Sequence, residues 1–292
     1  MKAPKLRLVI LVVLLLGAVF SLYAVWREER NGILTVAFLD VGQGDAIWIE
    51  SPSGNQVLID GGPGKVVLRE LSKVMPFYDH SIDVVMASHA DQDHVGGLPD
   101  VLKKYKANIF IEPGVPGESS SYEKLEKIVA EKEISNSLPK NKIGIKKVLA
   151  RRGMLIDLGD GAILQILFPD RNPLGMETNM ASVVARLIYG ENEFLFTGDS
   201  PVAIENYLVS LDSLESDVLK VGHHGSKTST SQTFVSAVSP EYAVISVGKD
   251  NRYGHPNQET LDTLTNFGAK ILRTDELSRI VFKSDGINLE IK

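Results

Sequence analysis

A short run of histidines and aspartates directly after an apolar segment constrains this chain most. The segment "IDVVMAS" is typical of a buried strand, and the next six residues include His89, Asp91, Asp93 and His94. A tight loop brings such side chains together, and their nitrogen and oxygen atoms are ligands for divalent metals. The pattern therefore predicts a metal site at a strand end. The alternative is an acidic cap, since Asp93 lies near the start of the helix predicted to follow.

The other histidines repeat this placement. Five of the six lie in loops that follow predicted strands: His89, His94, His223, His224 and His255, while His80 does not. Asp199 ends the predicted strand "EFLFTGD" in the same way. Functional side chains concentrate in loops carried by a rigid scaffold, so a shared site is expected. Six of these residues suit two metal ions that share a carboxylate: His89, Asp91, Asp93, His94, Asp199 and His223.

The composition limits the chemistry of the site. The chain has no cysteine, which excludes disulfides, cysteine-ligated zinc and thiol catalysis. Three aspartates with three histidines form an oxygen-rich set, so we expect manganese or zinc without a choice between them. The net charge of −6 argues against bulk binding of nucleic acid, although bound metals or a basic patch can still hold a polyanion. The tract "KNKIGIKKVLARRG" is such a patch, but a solvated strand face is the stronger interpretation of it.

The order of predicted elements indicates two sheets. Each half of the chain begins with strands and continues into strand–helix alternation, which is typical of sheets packed together with helices outside. The segment "SSSYEKLEKIVAEKE" predicts an exposed helix with a capping box between Ser120 and Glu123.

The N-terminus predicts a membrane anchor. Leu8 to Trp26 is a run of about 19 uncharged residues, enough for a transmembrane helix. The alternative is a cleaved signal, but "SLYAVW" is a poor cleavage site. Lys2, Lys5 and Arg7 precede the run and predict a cytoplasmic N-terminus. We therefore expect residues 1–30 to be an anchor and residues 31–292 to be an extracytoplasmic hydrolase domain.

The motifs resemble those of a known family. The histidine cluster resembles the metal-binding signature of the metallo-β-lactamase superfamily. More narrowly, the chain is similar to the hydrolase domain of ComEC competence proteins. These domains have an aspartate where the superfamily usually has a histidine, and Asp91 matches that position. The matching segments run in family order: "FLDVGQGDA", "VLIDGGPG", "SHADQDHVGGL", "LFTGDS", "LKVGHHGSKTSTS" and "AVISVGKDNRYGHP".

This resemblance implies an αββα sandwich preceded by one transmembrane helix. It implies that His89 and Asp91 hold one metal, that Asp93, His94 and His223 hold the other, and that Asp199 bridges them. A further histidine of the superfamily is missing, and Asn179 lies near the matching point. The remaining assignments are a ligand-orienting role for Asp60, proton transfer or phosphate contact for His224 and His255, and phosphate contact for Ser226 and Lys227, with helix capping as the alternative for these last two.

The function implied is a metal-dependent phosphodiesterase, most simply a nuclease that attacks DNA through a hydroxide bridging two metals. Two other functions stay open at this point. One is hydrolysis of a small ester or β-lactam, because the fold alone allows it. The other is a non-catalytic surface module that binds DNA, which the missing histidine allows. A part in DNA uptake is not carried over from ComEC, which has many membrane spans where this chain has one predicted.

Overall fold

The computed structural model describes residues 3–28, 32–134 and 144–292, with the side chains of 8–23, 32–133 and 144–292. The chain divides into two units, Met1–Asn31 and Gly32–Lys292. The first contains one helix, α1 (Ala3–Glu28). Within the described residues, no helix has the combined length and apolar character needed to cross a bilayer. The helix predicted here is present, but the predicted transmembrane span is not supported.

The second unit contains two sheets. Among the described residues, an eight-stranded sheet has the order β15-β14-β1-β2-β3-β4-β5-β6. Its strands are β1 (Leu34–Phe38), β2 (Ile47–Glu50), β3 (Gln56–Ile59), β4 (Ser81–Met86), β5 (Lys106–Glu112), β6 (Lys146–Leu149), β14 (Ile280–Ser284) and β15 (Leu289–Ile291). The strands from β3 to β6 are parallel, while β14, β1, β2 and β3 pair antiparallel.

The other sheet has seven strands in the described part of the chain, in the order β13-β12-β11-β10-β9-β8-β7. Its strands are β7 (Leu155–Asp157), β8 (Ile163–Phe168), β9 (Val184–Tyr189), β10 (Asn192–Phe196), β11 (Val218–Lys220), β12 (Tyr242–Ile245) and β13 (Lys270–Arg273). The strands from β10 to β13 are parallel. The carboxyl ends of these strands therefore lie at one edge of the sheet.

Helices cover the outer faces of both sheets. They are α2 (Val66–Val74), α3 (Gln92–Val95), α4 (Leu98–Lys104), α5 (Ser120–Ile134), α6 (Val202–Val209), α7 (Gln232–Val238), α8 (Gln258–Asn266) and α9 (Thr274–Leu277). One apolar cluster joins the facing sides of the sheets, with Phe38 and Phe282 packed against Phe194 and Phe196. Separate clusters lie under the helices of each sheet. This four-layer order confirms the αββα sandwich.

Local details depart from the sequence prediction. The expected capping box on α5 does not form, because the Ser119 hydroxyl, rather than that of Ser120, accepts a hydrogen bond from the backbone of Tyr122. The three-residue strands β7 and β15 were not predicted, since so short a segment carries almost no periodic signal.

Candidate metal centre

Loops from both sheets meet at one end of the sandwich. In the eight-stranded sheet, Asp45 precedes β2, Asp60 follows β3, and His89 and His94 follow β4. In the other sheet, Asp199 follows β10, and His223 and His224 follow β11. A backbone hydrogen bond from Val183 to Ser88 joins the two sheets beside these loops. The clustering predicted from the histidine positions is therefore present, with ligand-type side chains from separate parts of the chain.

Asp199 lies at the centre of the cluster. Its Oδ1 is 3.3 Å from Nε2 of His94, and its Oδ2 is 3.7 Å from Nε2 of His224 and 4.0 Å from Nε2 of His89. Asp93 adds an oxygen 3.4 Å from Nε2 of His224. Among the described residues, ligand atoms of His89, His94 and Asp199 lie within 4.8 Å of one another, as do those of Asp93, His94 and His224. These two groups share His94, and Asp199 belongs to the first of them; two further groups of this size include Asp45.

Several of the donor atoms make no hydrogen bond, although water cannot reach them. Nε2 of His89, His94 and His224 and Oδ1 of Asp199 are buried without a hydrogen bond in the described structure. Buried polar atoms are normally paired, because desolvation without a partner is costly. Four such atoms directed at one place fit one or two divalent cations, and imidazole with carboxylate is a donor set that zinc and manganese accept.

Other side chains fix the orientation of the imidazoles. Asp60 accepts a hydrogen bond from Nδ1 of His94 at 2.8 Å and bonds from the backbone and hydroxyl of Ser88, both at 2.7 Å. Nδ1 of His224 donates to the carbonyl of Ser246 at 2.8 Å. In both histidines this leaves Nε2 directed towards Asp199. Such outer contacts are what hold metal-binding histidines in one tautomer, and Asp60 has the position expected for that task.

The cluster redistributes protons. Burial, together with the positive charge of His94, lowers the pKa of His89 to about 4. Burial alone would lower the pKa of His94, but the carboxylates of Asp199 and Asp60 raise it well above its ordinary value. Burial alone would raise the pKa of Asp199, but His94 and His224 hold it well below its usual range. The positive charge of His94 therefore stabilises the carboxylates of Asp199 and Asp60. A bound metal ion can take over that role.

The two adjacent histidines differ in their surroundings. His223 and His224 both have left-handed backbone conformations, with φ of 48° and 54°, which is uncommon for residues with a Cβ. This turn buries His224, whose side chain is 1 % exposed, and leaves His223 31 % exposed. His223 still places Nε2 3.7 Å from Oδ2 of Asp199, and its Nδ1 lies 3.2 Å from the hydroxyl of Thr228. The geometry thus favours His224, rather than His223, as the histidine that could bind a metal together with Asp93.

Two charged residues of the cluster were missed by sequence reasoning. Lys220, in the last position of β11, is fully buried and donates to Asp45, and its Nζ lies 3.1 Å from the carbonyl of Gly198 and 3.8 Å from Oδ1 of Asp199. Burial would lower the pKa of Lys220, but Asp45 and Asp199 raise it. A lysine in the otherwise apolar segment "VLKVG" was the available signal, since a buried ammonium requires a partner.

Asp91 and Asn179 lie beside the cluster. Oδ2 of Asp91 is 3.8 Å from Nε2 of His89. Asp91 and Asn179 both line a cavity of about 500 Å³, together with Val115, Pro116 and Met176 among others. The Oδ1 atom of Asn179 is buried without a hydrogen bond in the described structure. An open space thus adjoins the side of the cluster where the superfamily histidine is missing.

The other residues predicted for the site include three that lie in the loops after β11 and β12. The His255 ring is 5.9 Å from the His223 ring. The Ser226 hydroxyl lies 3.0 Å from that of Thr228, and Lys227 is exposed. Neither Ser226 nor Lys227 caps the next helix, because Ser231 accepts the capping hydrogen bond of α7. Asp93 is not a cap either, since Asp91 holds the cap position of α3 and Asp93 approaches His224.

Two cations in the described part of the basic tract form ion pairs, while Lys146 is exposed. Lys147 pairs with Glu112 and Glu126, and Arg152 pairs with Asp212. Lys140 and Lys142 lie outside the described residues. The pairing favours a structural strand face over a path for a polyanion.

A glycine packs the first loop against the cluster. Gly44 has φ of +136°, and a Cβ there would overlap the carbonyl oxygen of Asp93. We expect Gly44→Ala to lower the free energy of unfolding by about 2–4 kcal/mol, because strain and overlap add, and to weaken metal binding by displacing Asp93. Urea denaturation and metal titration measure the two effects.

Gly42→Ala is the matched control. Gly42 also has positive φ, +82°, but a Cβ there meets nothing within 4 Å. It should cost only the backbone strain, about 1–2 kcal/mol, with metal affinity retained. Equal losses in both variants would show that the approach to Asp93 is not what requires glycine at position 44.

The chain belongs to the metallo-beta-lactamase superfamily, whose family model matches residues 39–249. It is thus a hydrolase of the metallo-β-lactamase fold, with the divalent-metal chemistry that this family implies. The sequence resemblance to ComEC-like competence proteins is also confirmed. The chain is 31% identical to ComE operon protein 3 of Bacillus subtilis over 85% of this chain and 33% of that protein. It is 30% identical to competence protein ComA of Neisseria gonorrhoeae over 90% of this chain and 34% of that protein.

The chain therefore spans about a third of the length of these curated relatives. A solved structure shares the fold: Igni18, a metallo hydrolase from the archaeon Ignicoccus hospitalis, aligns with a TM-score of 0.53 and 14% identity over 85% of this chain and 98% of that one.

Proposed function

We propose that this chain is a phosphodiesterase that cleaves DNA with two divalent metal ions. The observation that carries the proposal is the set of buried, unpartnered donors around Asp199, which adjoins an open cavity at Asp91. Two-metal sites are well suited to phosphodiesters, whose transition state spreads negative charge over several oxygens. The names of the relatives support DNA as the substrate, since they include two competence proteins and recombination protein 2 of Haemophilus influenzae.

The donors divide into two groups in this proposal. His89 and Asp91 hold one ion, with Asn179 beside them, and Asp93, His94 and His224 hold the other. Asp199 contacts both groups. When bound, the metals would activate water and neutralise the charge that develops on the phosphate oxygens.

The protein's own residues provide orientation and proton transfer. Asp60 holds His94, and the carbonyl of Ser246 holds His224, so that neither imidazole has to turn during the reaction. His223 reaches Asp199 from the solvent side with 31 % of its side chain exposed, and we assign it the delivery of a proton to the leaving oxygen. Lys227, exposed in the same loop, contacts phosphate.

The test is hydrolysis by the purified chain after removal of metals and reloading with manganese or zinc. Labelled single-stranded and duplex DNA should be cleaved only by the reloaded protein, and mass spectrometry should find close to two metals per chain. Nitrocefin, a β-lactam, is the comparison substrate. Cleavage of nitrocefin but not of DNA would overturn the proposal, and so would the absence of retained metal.

The two adjacent histidines give a sharper test of the assignment. His224→Ala should remove a metal-binding nitrogen, so we expect loss of about one metal per chain and of at least about 10²-fold in cleavage rate. His223→Ala should keep both metals and lose about 10²-fold in kcat, as for removal of a general acid. Metal content and steady-state cleavage distinguish the two.

His80→Ala is the control, because His80 is exposed and lies outside the cluster. It should cleave DNA at the wild-type rate. Loss of metal in His223→Ala with retention in His224→Ala would reverse the assignment.

A further inference from the structure

The loop after β12 is held in a fixed shape. The Asn251 amide donates to the carbonyls of Gly248 and His255 at 3.0 and 2.6 Å, and its oxygen accepts from the backbone of Tyr253 and His255 at 3.2 and 3.1 Å. One side chain thus satisfies four backbone groups. The amide of Gly248 also donates to Gln43 at 3.2 Å, which connects this loop to the loop between β1 and β2. A loop fixed in this way loses little entropy when a ligand binds.

This loop presents a row of rings that leads from the metal centre to solvent. The His255 ring lies 5.9 Å from that of His223, which approaches Asp199. The Tyr253 ring is stacked on His255, with centroids 5.9 Å apart and planes at 17°. Tyr253 is 54% exposed, although the ring adjoins a preorganised site. An exposed aromatic ring on a rigid loop beside a reaction centre is a surface on which a flat group can stack.

Exposed cations accompany the ring. The Arg252 guanidinium lies 5.0 Å from the Tyr253 centroid, and its Nη2 donates to the Tyr253 hydroxyl at 2.9 Å. Lys249 and Lys227 are exposed in the same and the neighbouring loop. Proteins bind single-stranded nucleic acid with aromatic rings interleaved with cations. The rings stack on the faces of the bases, and the cations pair with the negative charge of each phosphodiester. In a duplex the faces of the bases are already stacked on one another.

We propose that Tyr253 is a stacking platform for a nucleobase of single-stranded DNA, which places a neighbouring phosphodiester at the metal centre. Arg252, which is exposed and whose guanidinium contacts the ring, pairs with the backbone phosphate of the stacked nucleotide. The proposal rests on the proposed function and specifies its substrate: an unpaired strand is preferred over an intact duplex.

The test compares Tyr253→Ala with wild type on two substrates of equal length. One is a single-stranded oligonucleotide, and the other has the same phosphodiesters with abasic residues throughout. On the normal strand we expect KM to rise about tenfold in the variant, the loss typical of one base–aromatic stack. On the abasic strand the wild type should already have the raised KM, and the variant should add nothing. Tyr253→Phe keeps the ring and should restore most of the affinity.

Tyr78→Ala is the matched control. Tyr78 is 53% exposed, but it precedes β4 and so lies at the end of that strand opposite to His89. It should leave KM for both substrates unchanged. Equal KM increases on the normal and abasic strands in Tyr253→Ala would overturn the platform, as would no increase on either.

If the wild type cleaves neither strand, the proposed nuclease function fails, and binding still decides the platform. Fluorescence anisotropy with a labelled single-stranded oligonucleotide should then give a Kd about tenfold higher for Tyr253→Ala than for wild type. Equal values would overturn the inference independently of catalysis.

Discussion

Replacing Asp199 by asparagine should lower the rate of DNA hydrolysis by at least about 10³-fold, because metal ions contribute several kcal/mol of transition-state stabilisation. Asp199 lies within 4.0 Å of His89, His94 and His224, so its charge serves both groups of donors. Asparagine keeps the size of the side chain but removes the charge and one acceptor. The protein should also retain less than one metal per chain after dialysis, as measured by mass spectrometry.

Asp212→Asn is the control for loss of an aspartate charge. Asp212 pairs with Arg152, and its side chain is 33% exposed. Wild-type metal content and cleavage are expected for it. An Asp199→Asn protein that binds two metals and cleaves DNA at the wild-type rate would show that the Asp199 charge is not needed for metal binding or for the reaction.

Replacing Lys220 by methionine should lower the free energy of unfolding by about 3–5 kcal/mol, the cost of breaking a buried ion pair on one side. Lys220 and Asp45 are both buried, and their side chains contact each other. Methionine fills a similar volume but removes the ammonium group that contacts the Asp45 carboxylate. Urea denaturation of the metal-free protein measures the change, so that metal binding does not contribute.

A double variant separates the charge from the packing. Asp45→Asn combined with Lys220→Met removes both charges and should recover most of the lost stability. Lys283→Met, on an exposed position of β14, should change stability by less than about 0.5 kcal/mol. A double variant as unstable as Lys220→Met alone would show that packing, rather than the unpaired carboxylate, is responsible.

The layered fold could be predicted because its signals are local. The apolar runs of β4, β10 and β12 and the amphipathic pattern of α2 lie within short windows of sequence. The convergence of His89, His94, Asp199 and the pair at 223–224 could be predicted too, since each follows a strand, and parallel strands end at one edge.

The finer geometry could not be predicted because it depends on distant contacts and on backbone conformation. Nothing near Asp45 in the sequence indicates that Lys220 neutralises it, since the pair forms only when the two sheets pack. The choice between His223 and His224 depends on two successive left-handed residues, which direct one imidazole inwards and the other outwards. A sequence pattern that reads "HH" contains no information about that direction.

The distribution of the donors along the chain has a consequence for synthesis. Asp45 and Asp60 come from the beginning of the domain, His89 and His94 from its first half, and Asp199, Lys220 and His224 from its second half. A chain emerging from the ribosome therefore contains no complete set until both sheets have formed, and contacts of such long sequence separation are made late and slowly. Chains that lack the second sheet therefore also lack Asp199 and His224, and we expect them to hold no complete set of metal donors.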